Sequence, residues 1–242
     1  MAAGFAPLVV AMVLYHNMTM LDVVGPYEVL HRLPNVVVKF VGDKAGTVIR
    51  DTQGTLGLVA DYSFDDVPRP DVLLVPGGSN NTYGYDKRFI NWLQKADETT
   101  IYTTTVCTGA VLIGPSGLTK GKVMATHWAV YDQLAQFGAH YARARYFKDG
   151  KLISSAGVSA GIDAAIYLAS LLTDEVTARW AQMVIQYDPQ PPFSTGQASQ
   201  ADPQVWDLFK SPKYGGYGNH SFSPGPRGCF EEAVCTQECA IK

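Results

Sequence analysis

Four short runs of apolar and β-branched residues, at 7–14, 36–41, 72–75 and 101–106, constrain this 242-residue chain most. Runs this short, apolar along their whole length, mark strands covered on both faces rather than helices. Helical patterns alternate with them. Residues 21–33 carry the stripe Leu21, Val24, Val29 and Leu30, and residues 86–96 turn Phe89, Trp92 and Leu93 inward. Strand–helix alternation of this kind implies an α/β domain with a mostly parallel sheet.

The rest of the chain extends the pattern. Residues 43–66 read as an excursion of short extended pieces, 123–126 as a strand and 128–137 as a helix. Asp149-Gly150 between 141–147 and 152–155 signals a hairpin. Residues 159–171 and 174–187 are expected to be the last two helices, with Thr173 or Asp174 capping the second. After Tyr187, Pro, Gly, Ser and Gln dominate, which predicts an irregular arm. We expect one domain over 1–196 and a Pro/Gly-rich extension over 197–242.

Composition removes several function classes. An apolar content of 47% excludes a disordered chain, and a net charge of −3 without a Lys/Arg run argues against nucleic acid as a partner. Residues 2–15 are apolar but follow no basic residue and are too few to span a bilayer. The expectation is a soluble, cytoplasmic protein that contacts no membrane. Three glycosylation sequons, at Asn17, Asn80 and Asn219, carry little meaning in that setting. No zinc spacing, strand-borne GxGxxG or complete P-loop is present, so metal, dinucleotide and ATP readings lack support.

One cysteine stands where chemistry is done. The run Thr103-Thr104-Thr105-Val106 stops at Cys107-Thr108-Gly109-Ala110, so a β-branched strand ends at a Cys and a helix begins. That order places a nucleophile at the carboxyl edge of the sheet, where open α/β sheets bind ligands. The helix start is expected to lower the thiol pKa. Thr105 occupies the position two before the nucleophile, where an elbow usually has Gly, and a buried structural Cys is the competing reading. Asp22 begins a helix inside an apolar stretch and reads either as a residue satisfied by backbone amides or as the thiol's partner. If the two meet, they share one proton, and a protonated Asp22 against an anionic sulfur is the productive form. Pro76-Gly77-Gly78 reads as a plain turn, or as a donor of N–H groups to a ligand together with the Thr108 amide. His127 in Ala125-Thr126-His127-Trp128 is a core histidine or a neighbour of the site. Glu28 is a second carboxylate or a solvated helix residue, and His16 falls at the same sheet edge.

Together these pieces resemble the PfpI-type members of the class I glutamine amidotransferase-like superfamily, which also includes the Parkinson-disease-associated deglycase. The resemblance rests on residues 21–28, 74–78, 106–110 and 125–128. It also rests on Ser155-Ala156-Gly157-Val158-Ser159-Ala160-Gly161-Ile162-Asp163 and on Tyr187-Asp188-Pro189-Gln190-Pro191-Pro192-Phe193. Thr108 after the cysteine and the Tyr-Asp-Pro arm make the chain most similar to the isocyanide hydratase branch and to related sensor domains of AraC-type regulators. Those regulators carry a helix-turn-helix module after this domain; here about fifty Pro/Gly-rich residues follow, and DNA binding is not expected of them.

The resemblance implies a three-layer α/β/α, flavodoxin-like fold, a homodimer and a small-molecule substrate, with no cofactor and no metal. It implies Cys107 as nucleophile, Asp22 as its carboxylic-acid partner, and Gly77, Gly78 and Thr108 lining the site. His127 and Glu28 are candidates for supporting positions around them. The implied reaction is hydration of an isocyanide to an N-substituted formamide through a thioimidate on Cys107. Other chemistries open to the same site are a glyoxalase or deglycase on α-oxoaldehydes, a tailoring lyase or cyclase, and a redox sensor without turnover. Cys229, Cys235 and Cys239 fall outside the resemblance, and we expect incidental surface thiols there.

Overall fold

The structure is a computed structural model, and it describes residues 6–211. The three remaining cysteines and Asn219 lie outside the described residues. Two compact units meet at Tyr187–Asp188.

In the first unit a seven-stranded sheet forms the middle layer. Its strands are β1 (Leu8–Val13), β2 (Val36–Gly42), β5 (Tyr62–Ser63), β6 (Val72–Val75), β7 (Tyr102–Val106), β10 (Tyr146–Asp149) and β11 (Leu152–Ser155), in the spatial order β10-β11-β7-β6-β1-β2-β5. All neighbours are parallel except the β10–β11 hairpin. The excursion after β2 supplies a separate two-stranded ribbon, β3 (Thr47–Arg50) with β4 (Gly57–Ala60). Strands β8 (Val123–Met124) and β9 (His140–Tyr141) form another. Both faces of the sheet are covered at its centre: all four residues of β6 and of β11 are buried.

Helices α1 (Leu21–Leu30), α2 (Lys87–Asp97), α4 (Ala160–Leu172) and α5 (Glu175–Val184) complete the layers. From β1 to β2 the chain steps one way across the sheet, and from β6 to β7 it steps the other way. Right-handed crossovers therefore put α1 and α2 on opposite faces. The reversal falls between β1 and β6, where the carboxyl ends of adjacent strands open a crevice. On its face, α1 packs closely against α4. A Cβ on Gly25 would come within 2.9 Å of Ile162, and one on Gly161 within 2.9 Å of Val106.

Some expectations need correction. The helix expected at 128–137 is a 3-10 segment, Tyr131–Phe137, with only Leu134 fully buried, too little apolar surface to dock an α-helix. The pattern at 21–33 leaves the helix at Leu30. Residues 174–187 do not hold the last helix. In the second unit, α6 (Pro203–Lys210) begins at Asp202, whose carboxylate accepts the Gln204 and Val205 amides, with proline at the first helical position. Asp174, not Thr173, caps α5 by accepting the Thr177 amide. Among the described residues no helix is long and apolar enough to cross a membrane.

Candidate active site

Three strand ends converge on one place. β1 runs into a loop that delivers Asp22 in the first turn of α1. β6 ends in Pro76-Gly77-Gly78, and β7 ends at Cys107. The three strands lie side by side in the order β7-β6-β1, so their carboxyl ends are neighbours.

Cys107 has a φ of 60°, in the left-handed region. That conformation costs a non-glycine residue about 1–2 kcal/mol and persists only where the surroundings impose it. Here both sides of the residue are tied. The Cys107 N–H donates to the Ala156 carbonyl at 2.9 Å, and its own carbonyl accepts the Thr126 hydroxyl at 2.8 Å. Thr105 does not prevent the turn, because its side chain is turned into the core, where Oγ1 has no partner. Behind Cys107 the helix α3 (Gly109–Leu112) is a single turn.

Asp22 is fully buried. Its Oδ2 accepts the Gly77 amide at 2.8 Å, and Oδ1 has no nitrogen or oxygen partner. The Cys107 thiol is the titratable neighbour that, like the Gly77 amide, favours the Asp22 carboxylate. Burial pushes the Asp22 carboxyl up to about 7, against the opposing pull of the Gly77 amide and the thiol. Burial and the Asp22 charge push the thiol well above its ordinary range, offset in part by the Thr108 and Val158 amides. The expectation that the helix start lowers the thiol pKa is therefore overturned, because one helical turn and two amides do not outweigh burial. The two groups titrate as a coupled pair whose first proton leaves near 7.

The two glycines divide the work. Gly77 serves Asp22, and a Cβ there would lie 2.4 Å from the Thr108 nitrogen and 2.9 Å from the Cys107 Cβ. The Gly78 amide, expected to face a ligand, donates to Thr108 Oγ1 at 2.9 Å, and that hydroxyl donates to the Gly78 carbonyl at 3.0 Å. Thr108 thus clamps the β6 turn onto the elbow. The donors aimed at sulfur are the amides of Thr108 and Val158.

His127 is half-buried in a supporting place. Its N–H donates to the Cys107 carbonyl at 3.3 Å, and its Nδ1 accepts the Ala129 amide at 3.2 Å. Burial lowers its pKa, so the ring is neutral at pH 7. Glu28 is not brought to the pair. It is half-exposed on α1, where Arg32 holds its carboxylate at 3.0 Å. His16 is exposed, and its Nδ1 accepts the Arg50 amide.

Sequence reasoning missed Val158 and Tyr15. An amide donor leaves no side-chain signal, although Gly157 just before Val158 was one available sign. Tyr15 closes an apolar run and reads as core. It is 2% exposed, and its hydroxyl donates to the Pro76 carbonyl at 3.2 Å.

The DJ-1/PfpI family pattern matches residues 9–170, from the start of β1 into α4. The chain belongs to the DJ-1/PfpI family. Within that family it is 36% identical to an isonitrile hydratase from Pseudomonas putida over 201 residues, 83% of this chain and 87% of that one. A ThiJ/PfpI family protein from Pseudomonas syringae superposes with a TM-score of 0.80 at 30% identity, covering 84% of each chain. Drosophila melanogaster DJ-1beta shares the fold at a TM-score of 0.68 and 19% identity, over 76% of this chain and all of that one. The DJ-1/PfpI fold thus accounts for the mostly parallel sheet and its flanking helices.

Proposed function

We propose that the chain is a cysteine-dependent hydro-lyase that adds water to an isocyanide, R–N≡C, and releases the N-substituted formamide. The observation that carries this reading is the buried Asp22 carboxyl beside the Cys107 elbow: a nucleophile and a proton carrier at one sheet edge, with the carboxyl pushed up to about 7. The isonitrile hydratase from Pseudomonas putida supports it as a relative.

The steps balance with the pair and water alone. Asp22 takes the thiol proton as sulfur attacks the terminal carbon, then passes that proton to the same carbon, giving R–N=CH–S–Cys107. Asp22, again a carboxylate, takes a proton from water while hydroxide adds to the carbon. The proton goes to nitrogen, giving R–NH–CH(OH)–S–Cys107. Collapse forms the formamide carbonyl, breaks the C–S bond and returns the hydroxyl proton to sulfur through Asp22. The Thr108 and Val158 amides stabilise sulfur as it gains and loses charge. Using one carboxyl for every proton keeps each transfer within the buried pair, and such roles are worth about 10²–10⁴ in rate each.

The test is a paired assay on the purified protein. Loss of the N≡C stretch and gain of the formamide carbonyl are followed with an aryl isocyanide, beside methylglyoxal consumption. Turnover of the isocyanide, lost in Cys107→Ala and Asp22→Asn, is the expected result. Methylglyoxal turnover alone would move the assignment to a glyoxalase, and stoichiometric thiol modification without turnover to a redox sensor. A cytoplasmic homodimer is proposed with this reading, and the mass in solution by light scattering checks the dimer.

A further inference from the structure

Tyr15 and Asp22 grip opposite ends of one peptide unit. The Tyr15 hydroxyl donates to the carbonyl of Pro76 at 3.2 Å, and the N–H of the same Pro76–Gly77 peptide donates to Asp22 Oδ2 at 2.8 Å. A peptide unit is planar, so fixing where its carbonyl points also fixes where its N–H points. A hydrogen bond to the carbonyl polarises the unit as well and makes its N–H a better donor. The hydroxyl is held in place in turn. Tyr15 is buried, its ring stacks on Tyr83 at 4.8 Å, and the Tyr83 hydroxyl donates to Asp43 at 3.2 Å. The loop carrying Tyr15 is also stitched to this turn, with the Thr19 amide on the Gly77 carbonyl and the Ser79 amide on the Asn17 carbonyl.

We propose that Tyr15 is a positioning residue for the reacting pair: through the Pro76–Gly77 peptide it aims and strengthens the one amide that stabilises the Asp22 carboxylate. Among the described residues no other nitrogen or oxygen hydrogen-bonds that carboxylate, since Oδ1 has no such partner. The Gly77 amide is therefore the largest influence that opposes burial in setting how readily Asp22 gives up its proton. Among the described residues, Cys107 at the elbow is the titratable group that acts on Asp22, and Tyr15, in the loop after β1, feels the charges of both. Tyr15 stays protonated at working pH, because burial and the two neighbouring acids hold its own pKa up. It acts as a neutral dipole and transfers no proton.

This inference rests on the reading of Cys107 and Asp22 as the reacting pair, so its test avoids the isocyanide. Alkylation of Cys107 by iodoacetamide is followed from pH 5 to 9 in wild type and in Tyr15→Phe, which keeps the ring and its stack and removes only the hydroxyl. In wild type the rate climbs through an inflection near the Asp22 value, as the pair loses its first proton. In Tyr15→Phe that inflection moves up by roughly half a pH unit or more, the size expected for a weakened hydrogen bond to a charged group. At a pH below the inflection this is about a threefold slower alkylation. A merely structural Tyr15 would lower the melting temperature and leave the inflection where it is, which overturns the proposal. Should Tyr15→Phe fail to fold, Tyr83→Leu carries the test by loosening the ring that seats Tyr15: an upward shift supports the proposal and an unmoved inflection overturns it. The two readings fail separately. A shifted inflection in a protein that leaves isocyanides untouched refutes the function and keeps the positioning role; hydration with an unmoved inflection does the reverse.

Discussion

The fully buried Asp22 carboxyl accepts the Gly77 amide at Oδ2 and interacts with the Cys107 thiol at the elbow. That interaction sets the pH dependence of the reaction. With both groups protonated the thiol has no base, and with one proton lost Asp22 can take the proton from sulfur. Activity should therefore rise with pH through about 7 and then level off, because the thiol holds its own proton far above that. The measurement is kcat/KM for the isocyanide from pH 5 to 9. A profile that is flat across this range would remove Asp22 as the base.

The same burial carries a stability cost with a definite sign. The Asp22 carboxyl titrates near an ordinary 3.8 in the unfolded chain and near 7 in the folded one. Between those values the folded chain holds a proton that the unfolded chain has released, so this group makes stability fall as pH rises. The full difference, about three units at 1.36 kcal/mol each, is roughly 4 kcal/mol. Asp22→Asn should remove it. The variant's stability relative to wild type, measured by urea unfolding, should improve from pH 4.5 to pH 8. An equal difference at both pH values would show that the carboxyl is not held above its ordinary range.

These consequences trace back to what sequence could show. Cys107, Asp22 and Gly77 were legible because each follows a strand of unmistakable composition, and parallel strands bring their carboxyl ends together. The division between Gly77 and Gly78 was not, since two adjacent glycines look alike until Asp22 claims one amide and Thr108 the other. The raised thiol pKa was not legible for a related reason. A helix start after Cys107 is visible in sequence, whereas the depth of burial that outweighs it is set by distant packing such as Gly161 against Val106. α6 went unread because the surrounding Pro, Gly and Ser masked a short apolar pattern that Asp202 caps.

Gly77 should tolerate no side chain. A Cβ there meets the Thr108 nitrogen at 2.4 Å, its Oγ1 at 2.6 Å and the Cys107 Cβ at 2.9 Å, and the first of these is backbone that cannot swing away. Gly77→Ala should cost about 3 kcal/mol, at the upper end for overpacking, and should lower turnover as well by displacing the elbow. Gly157→Ala is the comparison, because its Cβ would meet His127 Cδ2 at 2.9 Å, the movable end of a side chain. Thermal melts of both variants decide the matter: a Gly77→Ala midpoint no lower than that of Gly157→Ala would contradict the close approach.

His127 supports the elbow through its backbone and through one ring nitrogen, and burial keeps the ring neutral. Its Nδ1 accepts the Ala129 amide, a contact that an asparagine Oδ1 can replace. His127→Asn should therefore keep isocyanide turnover within about threefold and leave the pH profile unchanged, since no step draws a proton from the ring. Steady-state kinetics from pH 5 to 9 check this. A general acid or base at this position is worth about 10²–10⁴ in rate, so a loss on that scale would make His127 a proton carrier and reassign one transfer now given to Asp22.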